Sequence, residues 1–295
     1  MTRVFIFDWD DTLLPSTWML RLQKHYGTAV NALIQPFLDS LQDSVCALFD
    51  SVHKHGYTSF VITNSQSGWV ELSASRHIPK VLVKLNELKI PIISAQTLYA
   101  TTNPDKFDPT NASRWKHEAF WNAIKDFEPI KKDDINNGSL YNNCYYTPLA
   151  DSIFQLDLYE PLPKRSDAIE LIVMGDCIFD INAAQSVNIY DWIMLKTIKL
   201  VESPDIQTLT QELTYLHNKF DNIATLDGEY SLSMRQILTN LGGLIIHEEV
   251  DDSISISSLP INFIPINLDS LQLLESDYMI PVTIPSAPEL AEVIS

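Results

Sequence analysis

"VFIFDWDDTLLPS", residues 4–16, sets four apolar residues directly against three carboxylates, Asp8, Asp10 and Asp11. Two like charges about 4 Å apart repel by roughly 4 kcal/mol at an effective dielectric near 20. Such crowding persists only where the acids splay into solvent or where something positive sits among them. The apolar half, Val4 to Phe7, reads as a strand buried on both faces, as in the interior of a parallel sheet.

Outward from this strand, short apolar runs alternate with helical patterns, which predicts a parallel α/β sheet. From Phe37 to Val52 the residues Phe37, Leu41, Val45, Leu48 and Val52 share one helical face. Gly56 is a helix stop before a second strand, "YTSFVIT" (57–63). Residues 69–88 read as helix with a break or restart at Pro79, and "IPIISA" (90–95) as a third strand. A helix over 113–127 has Ser113 as its N-cap. "ELIVMGD" (170–176) is a fourth strand leading into a helix at 180–186, and "DWIMLKT" (191–197) a fifth. A last amphipathic helix spans 205–223 behind Pro204, with Leu209, Leu213, Leu216 and Phe220 on its apolar face. The expected fold is a Rossmann-like, doubly wound, mostly parallel sheet.

Charge divides the chain. Of the net −18, residues 227–295 carry −10, with eleven acids against Arg235 alone. This break predicts a body over 1–226 and an acidic C-terminal extension over 227–295. Residues 128–168 are polar and rich in Asn and Tyr, too long for a simple connection, and predict an insertion or a small β excursion around "SIFQLDLY" (152–159). The acidity argues against nucleic acid or an anionic membrane as partner. No apolar run approaches the roughly 18 residues of a membrane span. The carboxylates that interrupt the first apolar run do not fit a signal peptide, and three cysteines without metal-like spacing fit free thiols, so a cytoplasmic location is expected.

Open α/β sheets bind ligands at the carboxyl ends of their strands. In this reading the first strand ends in Asp8 and Asp10, the second in Thr63 and Asn64, and the fourth in Gly175-Asp176 followed by Asp180. Lys116 opens the helix after the third strand, although Lys80, Lys84, Lys89 and Lys106 also lie between the second and fourth motifs. "DWDDT", "VITN", a lysine and "GDCIFD", in this order, resemble the four motifs of the haloacid dehalogenase superfamily over about residues 1–200. "GWVELSASRHIPKVL" and "SRWKHEAF" further resemble an uncharacterised branch of that superfamily from protists, algae and large viruses.

The resemblance implies a Mg²⁺-dependent phosphatase. Asp8 would be the nucleophile that forms an aspartyl-phosphate, and Asp10 would protonate the leaving oxygen and later deprotonate water. Mg²⁺ would be held by the Asp8 carboxylate, the Asp10 backbone carbonyl and Asp176, with Asp180 orienting Lys116 or a metal-bound water. Thr63, with Asn64, Thr12 and backbone N–H groups after Asp10, would bind the phosphate, and Lys116 would neutralise it. Asp11 has no direct chemistry in the family and is expected to face solvent or cap a turn.

Residues 16–56 hold at most two helices, which implies little or no cap over the site. An open site suits macromolecular substrates such as phosphoproteins, and Trp9 and Trp18 favour phosphotyrosine through ring stacking. Small phosphomonoesters, a phosphotransferase, and a non-enzymatic binding protein on the same fold are the alternatives. The oligomeric state is not readable.

Overall fold

A computed structural model of the chain describes residues 1–27, 30–107, 112–129, 164–240 and 280–281. Six parallel strands form one sheet: β1 (Arg3–Phe7), β2 (Thr58–Thr63), β3 (Ile92–Ser94), β4 (Ile169–Gly175), β5 (Ile193–Lys199) and β6 (Tyr230–Ser233). They are ordered β3-β2-β1-β4-β5-β6, and a two-residue antiparallel strand, β7 (Ile280–Pro281), adds to β6. The chain winds outward from β1 in one direction and from β4 in the other. The switch point of this doubly wound sheet therefore lies between β1 and β4.

The fully apolar strands follow from burial on both faces. Phe5 and Phe7 point into one core with Ile172, Met174 and Ile198, while Val4 and Ile6 point into a second with Leu171, Val173 and Leu195. The first core is covered by α1 (Ser16–Tyr26), α2 (Val30–Lys54), α3 (Trp69–His77), α4 (Pro79–Glu87) and α8 (Ile206–Thr225). The second is covered by α5 (Ala95–Thr102), α6 (Ala112–Ile124) and α7 (Ile178–Val187). Among the described residues no helix is long and apolar enough to cross a membrane.

Several boundaries differ from the sequence reading. Helix α2 begins at Val30 and carries Pro36 inside it. Proline forfeits one backbone bond and usually ends a helix, but buried Val30 and Ile34 hold the turn before it in the core. Pro79 does restart a helix, as expected, with Ile78 between α3 and α4. Helix α5 was not anticipated; Ser94 caps it by accepting from the Thr97 N–H at 3.1 Å. Ser113 lies inside α6 and is not its N-cap. The sheet also runs past residue 226: β6 pairs with β5, and Ile237 and Leu238 of α9 (Met234–Asn240) are buried in the first core. The stretch 130–163, including "SIFQLDLY", and most of 241–295 lie outside the described residues.

Buried polar residues also lie within this frame. Toward the amino ends of the strands, Glu170 accepts from the Tyr57 hydroxyl, pairs with Lys196 at 3.2 Å and lies 3.9 Å from Arg3. Elsewhere, buried Glu212 of α8 accepts from the Val201 N–H at 2.8 Å through Oε1, while Oε2 has no partner among the described residues. Burial above all pushes the Glu212 carboxyl up to about 8.

Candidate functional site

The chain leaves β1 at Asp8, whose N–H donates to the Met174 carbonyl at 2.9 Å. This bond keeps the first carboxylate beside the end of β4, where Asp176 follows. The turn then tightens: the N–H groups of Thr12 and Leu13 bond the Trp9 carbonyl, and that of Asp11 bonds the Leu14 carbonyl at 2.7 Å. Asp11 adopts φ 56°, a left-handed conformation that Asp tolerates better than most residues. Its carboxylate accepts from the Thr17 N–H at 2.9 Å in the first turn of α1, so the turn-capping role holds.

Lys116, on the buried face of α6, reaches the same point from the far side of the sheet. Its ammonium bonds Asp8 Oδ1 at 2.6 Å and also Asp180. Of the lysines between the second and fourth motifs, Lys80 and Lys84 instead pair with Asp43 and Asp50 on the surface. Burial alone would lower the Lys116 pKa, but the carboxylates of Asp180 and Asp8 outweigh it and drive the value well above the ordinary lysine range. Lys116 is therefore a permanent cation.

The other oxygen of Asp8 faces β4. Thr12 Oγ1 lies 3.2 Å from Asp8 Oδ2 and 3.5 Å from Asp176 Oδ1, and it accepts from the Asp176 N–H at 3.0 Å. Thr12 thus has its buried hydroxyl committed to the two acids; this places it as a strut between them, away from the substrate-binding role expected of it. Asp180 is fully buried, with one oxygen on Lys116 and the other accepting from Cys177 N–H at 3.3 Å and Sγ at 3.2 Å. One oxygen of Asp180 thus orients Lys116 and the other closes the first turn of α7. Lys199 braces the turn by donating to the Asp176 carbonyl.

These contacts leave an imbalance. Asp8, Asp176 and Asp180 are buried together, and among the described residues Lys116 is the one cation within ion-pair distance of them. Burial, then Asp180 and Asp11, push the Asp176 carboxyl up to about 7. Burial pushes Asp8 upward too, against the pull of Lys116. Asp176, Cys177 and Asp180 place potential ligand atoms within 4.8 Å of one another. The Cys177 thiol, pushed up to about 12 by burial and Asp180, is protonated and acts as a donor. The oxygens of Asp8 and Asp176 that face Thr12 are the pair suited to a hard cation.

Asp10 points away from Lys116, across the end of β2. Its Oδ2 accepts from Ser65 Oγ at 2.8 Å and Thr63 Oγ1 at 3.2 Å, and Trp69 Nε1 lies 2.9 Å from Oδ1 and 3.2 Å from Oδ2. Thr63 is therefore turned toward Asp10, where a phosphate contact was expected. The amides of Asp11 and Thr12, expected at the phosphate, are used within the turn. Asn64, next along the chain from Thr63, has a buried Oδ1 with no partner among the described residues. Trp9 is fully buried, with its indole N–H on Ser73 at 3.0 Å, so it offers no stacking face to a substrate, and Trp18 packs partly buried on the core. Ser65 and Trp69 went unread because no spacing rule ties a strand-end acid to the first residue of the next helix.

The geometry thus brings Asp8, Thr12, Lys116, Asp176 and Asp180 into one contact set and attaches Asp10, Thr63, Ser65 and Trp69 at its edge. Comparison of the chain with models of known protein families, with curated proteins and with solved structures yields no match in any of the three.

Proposed function

We propose that the protein is a Mg²⁺-dependent phosphomonoester hydrolase that works through an aspartyl-phosphate on Asp8, as the resemblance to haloacid dehalogenases implies. The observation that carries this reading is the buried Asp8 carboxylate clasped on one side by Lys116 and on the other by Thr12, whose hydroxyl also reaches Asp176. A phosphomonoester dianion repels nucleophiles, so a site that hydrolyses it needs fixed positive charge and a fixed line of attack. The Asp8 oxygen attacks phosphorus, the bond to the leaving oxygen breaks, and Asp10 delivers a proton to that oxygen. Water then attacks phosphorus, Asp10 takes its proton, and the acyl-phosphate bond breaks to release phosphate and restore Asp8. Lys116 stays charged throughout and neutralises the phosphoryl oxygens. Asp8, Asp176 and the Asp10 carbonyl would hold Mg²⁺, which supplies the remaining positive charge.

Phosphoproteins are the substrates we favour over small phosphomonoesters. Between β1 and β2 the described residues form only α1 and α2, and both contribute buried residues to the core. A site over which the described residues place no large helical cap admits a side chain presented on a protein surface. Turnover of sugar phosphates with none of phosphopeptides would overturn this preference. The reaction itself is tested with p-nitrophenyl phosphate, with Mg²⁺ or a chelator, using wild type and Asp8→Asn. Activity that requires both Mg²⁺ and Asp8 is expected; activity that survives Asp8→Asn rules out the aspartyl-phosphate.

A further inference from the structure

We propose that Trp69 is a positioning residue that, together with Ser65, holds the Asp10 carboxyl group for proton transfer to the leaving oxygen. The inference rests on the phosphatase reading and adds to it a residue that neither motif spacing nor chemistry singles out in the sequence. Trp69 is the first residue of α3, entered through Gly68 at φ 88°, a left-handed angle that lets the loop from β2 turn sharply into the helix. That turn delivers the indole N–H to Asp10 from a rigid helix end.

The pattern of bonds is uneven in a useful way. Oδ2 of Asp10 receives the Ser65 and Thr63 hydroxyls as well as the longer arm of the Trp69 contact, whereas among the described residues Oδ1 has Trp69 alone. Oδ1 is thus the oxygen left to carry the proton. An indole N–H is a donor and never an acceptor, so Trp69 cannot compete for that proton. Because it lies within reach of both oxygens, it can remain bonded to Oδ2 while Oδ1 is protonated. Proton transfer then requires no rearrangement of the carboxyl plane. Beyond Asp10 the same residues line an open groove of about 590 Å³, with Gln66, Leu72 and Gln96 on its other walls. It carries no charged side chain and begins where the leaving group would depart.

The test uses the full chain with Mg²⁺ and two substrates of opposite leaving-group quality: an alkyl phosphate, whose alkoxide must be protonated, and 2,4-dinitrophenyl phosphate, whose phenolate leaves unaided. Trp69→Phe keeps the ring and removes the donor; Ser65→Ala removes the second donor with little volume change, so one variant suffices if the other fails to fold. Both are expected to lower kcat for the alkyl phosphate by about 10- to 100-fold with KM nearly unchanged, and to leave dinitrophenyl phosphate within about threefold. Equal losses on both substrates, or no loss on either, overturn the positioning role while leaving the phosphatase reading intact. A wild type that hydrolyses neither substrate removes both.

Discussion

Gly175 and Asp180 are packed so closely that a Cβ on Gly175 would lie 2.4 Å from the Asp180 carboxyl group. Asp180 folds back over the start of α7 to accept from the Cys177 N–H, and this brings its side chain onto the last residue of β4. The glycine before Asp176 is therefore demanded by the acid five residues later. Gly175→Ala must push Asp180 away from both Cys177 and Lys116. We expect a stability loss of about 1–3 kcal/mol, typical of overpacking, and, for the hydrolysis proposed above, a drop of at least tenfold, of the order seen for about 1 Å of misplacement. Urea unfolding and the aryl phosphate assay measure the two effects separately.

Removing Lys116 strands two buried acids. Lys116→Met fills much of the same volume but leaves Asp8 and Asp180 without their cation. Breaking a buried pair by taking away one partner costs about 3–5 kcal/mol. Lys116→Met should therefore unfold at markedly lower urea, and a second change, Asp180→Asn, should recover part of the loss. A double-mutant cycle with no coupling between the two positions would contradict the contact.

A divalent cation should stabilise the fold by satisfying the acids that Lys116 leaves unbalanced. At a concentration one hundred times its Kd, Mg²⁺ would add about 2.7 kcal/mol. The expected result is a higher midpoint of thermal unfolding for wild type in Mg²⁺, returned to baseline by a chelator and absent in Asp176→Asn. Equal stabilisation of Asp176→Asn would move the ion elsewhere.

Glu212, close enough to Asp176 to feel its charge, also makes stability depend on pH. Its folded pKa, about 8, lies above the ordinary 4.5, so the folded state binds its proton more tightly than the unfolded state does. The resulting stabilisation is complete below about pH 4.5 and is lost as pH rises toward 8. Glu212→Gln keeps an acceptor for the Val201 N–H and cannot ionise. Relative to wild type it should gain on the order of 3 kcal/mol at pH 8.5, and the difference should shrink steadily toward pH 5. Parallel pH profiles of the midpoint in urea would contradict this.

The parts of the fold that the sequence discloses are those where a single physical demand governs. Val4–Phe7 must be apolar throughout because both faces are covered, and the acids at strand ends stand out because charge there interrupts that rule. Pro79 marks a helix start because its missing N–H does no harm in the first turn. Other features depend on several weak demands at once. Helix α5 buries little beyond Ala95 and Tyr99, so its face is faint. Strand β6, "YSLS", is short and half-exposed, and a boundary read from charge alone stops before it. In the candidate site, Asp8, Lys116, Asp176 and Asp180 do meet as their order along the chain suggests. The hydroxyls of Thr12 and Thr63 instead turn toward acids, because a buried carboxylate draws any nearby donor and spacing cannot show which donor is nearest.

The Arg3, Tyr57, Glu170 and Lys196 cluster acts as an alignment pin for the acids at the opposite end of the sheet. Arg3 sits directly across from Glu170, and five residues later the same pairing frame brings Asp8 level with Gly175 and next to Asp176. Sliding β1 by one residue would exchange the faces of Phe5 and Ile6, take Arg3 away from Glu170 and carry Asp8 past its partners. A charge pair at one end of the strands thereby helps fix, to within one peptide unit, where the strand-end carboxylates meet.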